Sequence, residues 1–224
     1  MSVGKSRLQT MRRVACLAAA CASLVAVSVS AQVPKKLDKA LVDHFVTLNT
    51  TKGPIVIKVY FSLVPYTASN FLNLVKRKFY DGLTFHRVED WVVQGGDPDG
   101  NGTGNFVDPQ TGKPRFLHLE VTPKLNHDHP GVVAMARSEN PNSASCQFYI
   151  LKRPASYLNG KYAVFGQVVD GMQTVDRLQI GDRIMSARIS DPPASDDRPA
   201  YLPPEAPAGS SPGASPAKPA DSGF

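Results

Sequence analysis

The chain has 224 residues, 42% of them hydrophobic and 20% charged, an ordinary soluble globular composition with room for one sizeable core. Its formal charge is +6, but Lys5, Arg7, Arg12 and Arg13 fall in the first 31 residues, which hold no acid; 25 basic residues less these four leave 21 against 19 acidic, or +2. That balance excludes the electrostatic footprint of a nucleic-acid binder.

The first 31 residues read as a secretory signal peptide. Basic residues precede a run of Ala, Val, Leu, Cys and Ser from Val14 to Val29, and Val29-Ser30-Ala31 offers small residues for cleavage before Gln32. The run is short and rich in Ala and Ser for a membrane span. The expected location is the periplasm; an uncleaved signal, anchoring the protein with its domain facing the periplasm, is the alternative and the only route to membrane contact. Cys16 and Cys21 lie inside this segment, so only Cys146 remains after cleavage, and the fold must stand without an internal disulfide.

Residues 32–44 are a polar lead-in. Phe45–Asn49 and Ile55–Tyr60 are β-rich runs joined through Thr51-Lys52-Gly53-Pro54, a hairpin signal. From Pro65 to Lys78, Phe71, Leu74 and Val75 recur at helical spacing, with Thr67 as a candidate cap and Lys76, Arg77 and Lys78 at the end. Phe85–Asp97 reads as a strand, a turn at Glu89-Asp90, and a second strand closed by Gly95-Gly96. Arg87 and Gln94 then sit on neighbouring strands. Asp97 to Pro114 is loop. Further strands are expected at Gly131–Arg137, Gln147–Leu151, Ala163–Val169 and Ile184–Ile189, with a short helix over Gly171–Leu178. Residues 191–224 carry nine of the 19 prolines and few large apolar side chains, so a disordered or polyproline-like tail is expected. Many short strands and two helices suggest one closed or nearly closed antiparallel sheet with helices over its open ends, a domain covering residues 45–190.

Most motifs for chemistry fare badly. Cys146 begins an apolar strand with no His near it in sequence and reads as a buried, inert thiol. His127-Asp128-His129 lacks a visible third ligand and runs into Pro130-Gly131. Asp97-Pro98-Asp99-Gly100-Asn101-Gly102 with Asp108 imitates a calcium loop, but a strand precedes it where a helix is required. What survives is a groove: Arg87, Trp91, Gln94, Met135, Arg137, Gln147, Tyr149, Leu158 and Tyr162 combine apolar, amide and cationic types, and none is a base poised near neutral pH. Such a set suits a peptide or another neutral, extended ligand.

Six stretches in order carry a resemblance: Phe85-His86-Arg87, Gln94-Gly95-Gly96-Asp97, Gly102-Thr103-Gly104, Met135-Ala136-Arg137, Ser143–Ile150, and Leu158–Gly166. Together they resemble the cyclophilins, the peptidyl-prolyl cis–trans isomerases, over about Phe45 to Ile189. The resemblance implies a mainly β fold, a closed eight-stranded antiparallel β-barrel capped by two α-helices, with the groove on its outer face. It implies Arg87 as the catalytic arginine and Gln94 and Gln147 as polar contacts to substrate. Val92, Tyr149 and Leu158 match walls of the proline pocket, and the Met135–Arg137 segment, through Ala136, matches the part that holds the peptide backbone. The turn between Arg87 and Gln94 is one residue shorter than the familiar form. Trp91 stands where phenylalanine is usual, Tyr157 where tryptophan often sits, Tyr162 replaces a histidine and Arg137 an asparagine. The expected partners are proline-containing polypeptides, met by a monomer that needs no cofactor and no metal. A fold that grips proline segments without turnover is the competing expectation.

Overall fold

The computed structural model describes residues 42–192. The expected signal, most of the lead-in and nearly all of the Pro-rich tail lie outside the described residues. Within them, β1 (His44–Thr50) and β2 (Gly53–Val59) form the hairpin, followed by α1 (Pro65–Lys76), β3 (Phe85–Val88) and β4 (Val92–Gly95). A small ribbon follows, β5 (Val107–Asp108) with β6 (Lys113–Pro114). Then come β7 (Val132–Met135), β8 (Phe148–Leu151), a 3₁₀ turn (Ser156–Leu158), β9 (Val164–Asp170), α2 (Met172–Arg177) and β10 (Ile184–Ser190).

Eight strands make one sheet in the order β10-β1-β2-β9-β7-β8-β4-β3, every neighbouring pair antiparallel. The two edges approach each other. Thr84, just before β3, bridges Arg183, just before β10; Phe85 N–H donates to Asp182 O at 2.8 Å and Ile184 N–H to Leu83 O at 2.9 Å. This is the closure expected from the sequence, made at one short seam. α1 packs on β10 and α2 on β2.

Alternation decides which residues fill the interior. Val46 and Leu48 of β1, Ile55, Ile57 and Val59 of β2 and Phe165 of β9 point inward, where Phe71 of α1 meets Phe165 at a ring distance of 4.8 Å and Phe148 at 5.7 Å. β4, β7 and β8 are buried at every position, so both of their faces are covered. Val93, Val133, Met135, Phe148 and Ile150 serve the interior. Val92, Val132, Ala134, Tyr149 and Leu151 face outward into a second apolar cluster with Ala136, Ala155, Leu158 and Val164. That outer cluster is the foundation of the site.

One local expectation is corrected. Thr67 does not cap α1: the helix starts one turn earlier, after Val64, with Pro65 in the first position and no capping side chain of its own. Glu120 takes that place from a distant loop, accepting from Tyr66 N–H at 3.3 Å, Thr67 N–H at 2.7 Å and the Thr67 hydroxyl at 2.7 Å.

Candidate active site

Sheet register puts Arg87 of β3 opposite Gln94 of β4, Gln94 opposite Tyr149 of β8, and Tyr149 opposite Ala134 of β7. Directly paired residues share a face, so one row crosses four strands on the outer surface. The row is polar at its Arg87 end and apolar at its Ala134 end.

The polar end is a chain of bonds. Arg87 donates from Nε to Glu89 Oε1 at 2.8 Å and from Nη1 to Gln94 Oε1 at 3.3 Å. Gln94 donates to Gln147 Oε1 at 3.0 Å, and Gln147 donates to the carbonyls of Gly102 at 3.0 Å and Gly104 at 2.9 Å. Each amide is thereby oriented. A cleft of about 370 Å³ opens beside this chain, lined by Gln94, Thr103, Phe116, Ala136, Arg137 and Gln147 among others.

The apolar end is aromatic. Trp91, Tyr162 and Leu125 are partly buried against the outer cluster. Tyr162 meets Tyr149 edge-on at 6.1 Å, and Trp91 lies 6.2 Å from Tyr157, which is 41% exposed. Val92, Tyr149 and Leu158, read from the sequence as pocket walls, form a covered floor: Val92 and Tyr149 are 0% exposed and Leu158 4%. At the polar end Arg87 also meets an aromatic ring, its guanidinium 5.5 Å from the Trp91 ring centre.

Met135 is placed differently from the sequence expectation, while Arg137 lines the cleft as expected and has a further occupation. Met135 turns its side chain into the barrel interior and lends the groove no surface; it is the next residue, Ala136, that reaches the cleft. Arg137 acts as a strut. It donates to the carbonyls of Ser138, Glu139 and Lys161 at 2.8–3.1 Å and stacks on Tyr162 at 4.4 Å, joining the two flanks of the groove.

The dismissed motifs have other occupations. Asp97 accepts the N–H groups of Asp99, Asn101 and Gly102, and Asp108 pairs with Arg115 at 2.6 Å, so the first and last acids of the calcium-like loop are engaged. Burial pushes the Cys146 thiol up to about 12, which removes it as a nucleophile at neutral pH. His127 is wholly buried beneath the site and bonds Tyr149 and Asn159. Burial lowers its affinity for a proton. Sequence reasoning missed His127 and Glu89 as members of the site, since each looked like part of a turn.

The arrangement offers a fixed cation, two oriented amides and an aromatic surface. It offers no base aimed at a substrate. The sequence profile described as cyclophilin type peptidyl-prolyl cis–trans isomerase matches residues 45–198. The chain belongs to the cyclophilin-type peptidyl-prolyl cis–trans isomerases.

Among cyclophilin relatives, a putative thylakoid lumen isomerase of Synechocystis is 39% identical over 175 residues, 64% of this chain and 46% of that protein. The chain thus spans under half of that relative's length. A peptidyl-prolyl cis–trans isomerase-like 1 of Rhizopus delemar is 41% identical over 134 residues, 59% of this chain and 78% of its own. The crystal structure of a Cryptosporidium parvum cyclophilin superposes with a TM-score of 0.61 at 27% identity, covering 68% of this chain and all of that one. The same cyclophilin, crystallised in the presence of the dipeptide Ala-Pro, gives a TM-score of 0.60 at 28% identity, covering 66% of this chain and 99% of that one.

Proposed function

We propose that this chain accelerates rotation about X–Pro bonds in exported polypeptides, with Arg87 as the group that stabilises the twisted amide. The observation that carries this reading is the place of the guanidinium: clamped between Glu89 and Gln94, of which Gln94 lines the cleft, and set against the Trp91 ring.

An X–Pro amide rotates over a barrier of about 18–20 kcal/mol because the nitrogen shares its lone pair with the carbonyl. Cis and trans differ by only about 0.5–1 kcal/mol, so the need is for speed. At the twisted geometry the lone pair localises on the prolyl nitrogen. A donor aimed there favours the twisted state over both planar ones. Arginine suits the task because it keeps its charge and its planar fork. Gln94, Gln147 and the backbone near Ala136 hold the peptide, and the side chain before the proline enters the cleft. The ring rests on Val92, Tyr149 and Leu158, which requires Tyr162 to swing aside while Trp91 keeps its place beside Arg87. No proton transfer or covalent intermediate is called for.

The test is isomerisation of a proline peptide by Arg87→Ala and Arg87→Lys. Both are expected to lose activity, Ala by about 10²–10³-fold, the scale for removing a donor that meets developing charge. Near wild-type turnover in both would overturn the role. The short turn and Trp91 favour a second reading, a module that binds proline segments without turnover; the wild-type rate decides, since a pure binder leaves the uncatalysed rate unchanged.

Export rests on the pattern of residues 1–31 and on the Synechocystis relative, which is named for a thylakoid lumen. The expected mature N-terminus is Gln32, read by N-terminal sequencing of protein recovered from the periplasm. Removal of residues 191–224 is expected to leave isomerase activity intact.

A further inference from the structure

Glu89 occupies the turn between the two strands that carry the site. Its N–H donates to Val92 O at 2.8 Å, closing a two-residue loop of Asp90 and Trp91. The Trp91 carbonyl in turn accepts from Lys152 N–H at 2.8 Å, so the loop is tied to the end of β8. With its backbone fixed, the Glu89 side chain reaches two others. Oε1 accepts from Arg87 Nε at 2.8 Å, and Oε2 accepts from the Trp91 indole N–H at 2.7 Å.

We propose that Glu89 is the positioning residue of this site, fixing the Arg87 guanidinium and the Trp91 ring relative to each other through one carboxylate. The inference rests on the reading of Arg87 above. The short loop makes it possible, because Trp91 folds back over the turn and its N–H meets the second carboxylate oxygen. A freely rotating arginine would lose much of its advantage, since the donor must already point where charge develops. Glu89 and Gln94 hold the guanidinium from two sides, and Trp91 supplies the face on which it lies.

A carboxylate beside a catalytic cation also weakens its field. The two effects have opposite signs. If Glu89 served only as a counter-ion, removing it would raise activity; if it positions, removal lowers activity. Glutamine separates them further. Arg87 and Trp91 meet different oxygens of Glu89, so an amide in the same place offers its oxygen to one of them and turns its NH₂ toward the other donor. Trp91→Phe removes that conflict.

Trp91 is the single tryptophan in the chain, so tryptophan emission reports on the surroundings of this one ring. The experiment compares the full chain with Glu89→Ala, Glu89→Gln, Trp91→Phe, the Glu89→Gln/Trp91→Phe pair and Arg87→Ala. Proline-peptide kcat/KM and a urea melt are read for each, and the tryptophan emission maximum for those that keep Trp91. Glu89→Ala is expected to lower kcat/KM about tenfold, the scale of a misplaced catalytic group, with a shifted emission maximum and an unchanged fold. Glu89→Gln is expected to cost less in the Trp91→Phe background than in the wild type. Wild-type rates and emission in both Glu89 variants, or a faster Glu89→Ala, while Arg87→Ala is inactive, would overturn the Glu89 inference and leave the role of Arg87 standing. A fully active Arg87→Ala would overturn both.

Discussion

The Tyr149 hydroxyl and Nε2 of His127 lie 2.8 Å apart under the floor of the groove. Asn159 turns its NH₂ toward Asp128 at 2.9 Å and its oxygen toward His127, at 3.1 Å from Nδ1. Nδ1 therefore donates, and Nε2 accepts from Tyr149. Burial holds the imidazole neutral, which keeps Nε2 available. A tyrosine at this place thus brings a hydroxyl into an apolar cluster and finds it a buried acceptor.

Replacing Tyr149 by Phe keeps the ring and strands that acceptor. A buried group left without its bond costs about 1–3 kcal/mol. Urea unfolding of Tyr149→Phe is expected to show a lower midpoint with an unchanged slope. A midpoint equal to wild type would mean that the hydroxyl contributes nothing to the fold.

Glu120 and the first turn of α1 offer a second test. α1 has no acid in its own first turn, and Val64 supplies no cap. The Glu120 carboxylate meets two N–H groups there and complements the positive end of the helix. Glu120→Ala is expected to cost about 0.5–2 kcal/mol, the usual scale for a lost cap. Urea melts at low and high salt check it, since the charge component of the loss shrinks as salt screens it.

What the sequence disclosed was set by distance along the chain. Alternation at Val46 and Leu48, and helical spacing at Phe71, Leu74 and Val75, are local patterns, and both elements lie where those patterns put them. Arg87 and Gln94 were legible as neighbours because one short hairpin joins them. The apolar runs of β7 and β8 marked them as strands but not which face served which cluster, so Met135 was expected in the groove and lies in the interior. Glu120 caps a helix 53 residues away, and His127 meets Tyr149 across 22. No spacing rule links such pairs; they follow from how the loops cross the barrel. The Glu89 contacts are local and still were not visible, because side-chain rotamers, not spacing, bring the three residues together.

The seam of the barrel supplies a pH dependence. Asp81, in the turn after α1, accepts from both terminal nitrogens of Arg188 at 2.9 and 2.8 Å, and from Ala187 N–H at 2.9 Å. It thereby ties that turn to β10. The Arg188 bond, with help from Ala187 N–H, holds the Asp81 carboxyl below its ordinary value. With a folded value below the unfolded one, near 3.9, the unfolded chain binds more protons between the two. Stability from this pair is therefore complete above about pH 5 and is lost as pH falls through the folded value. The pair is partly exposed, so its contribution is small. Asp81→Asn keeps an acceptor for Ala187 N–H and removes the charge, which isolates the pair from other carboxylates that titrate in the same range. Urea unfolding of both proteins between pH 3 and 7 is expected to give a constant difference at the upper end that narrows toward the acid end. A difference that does not change with pH would show that Asp81 contributes shape alone.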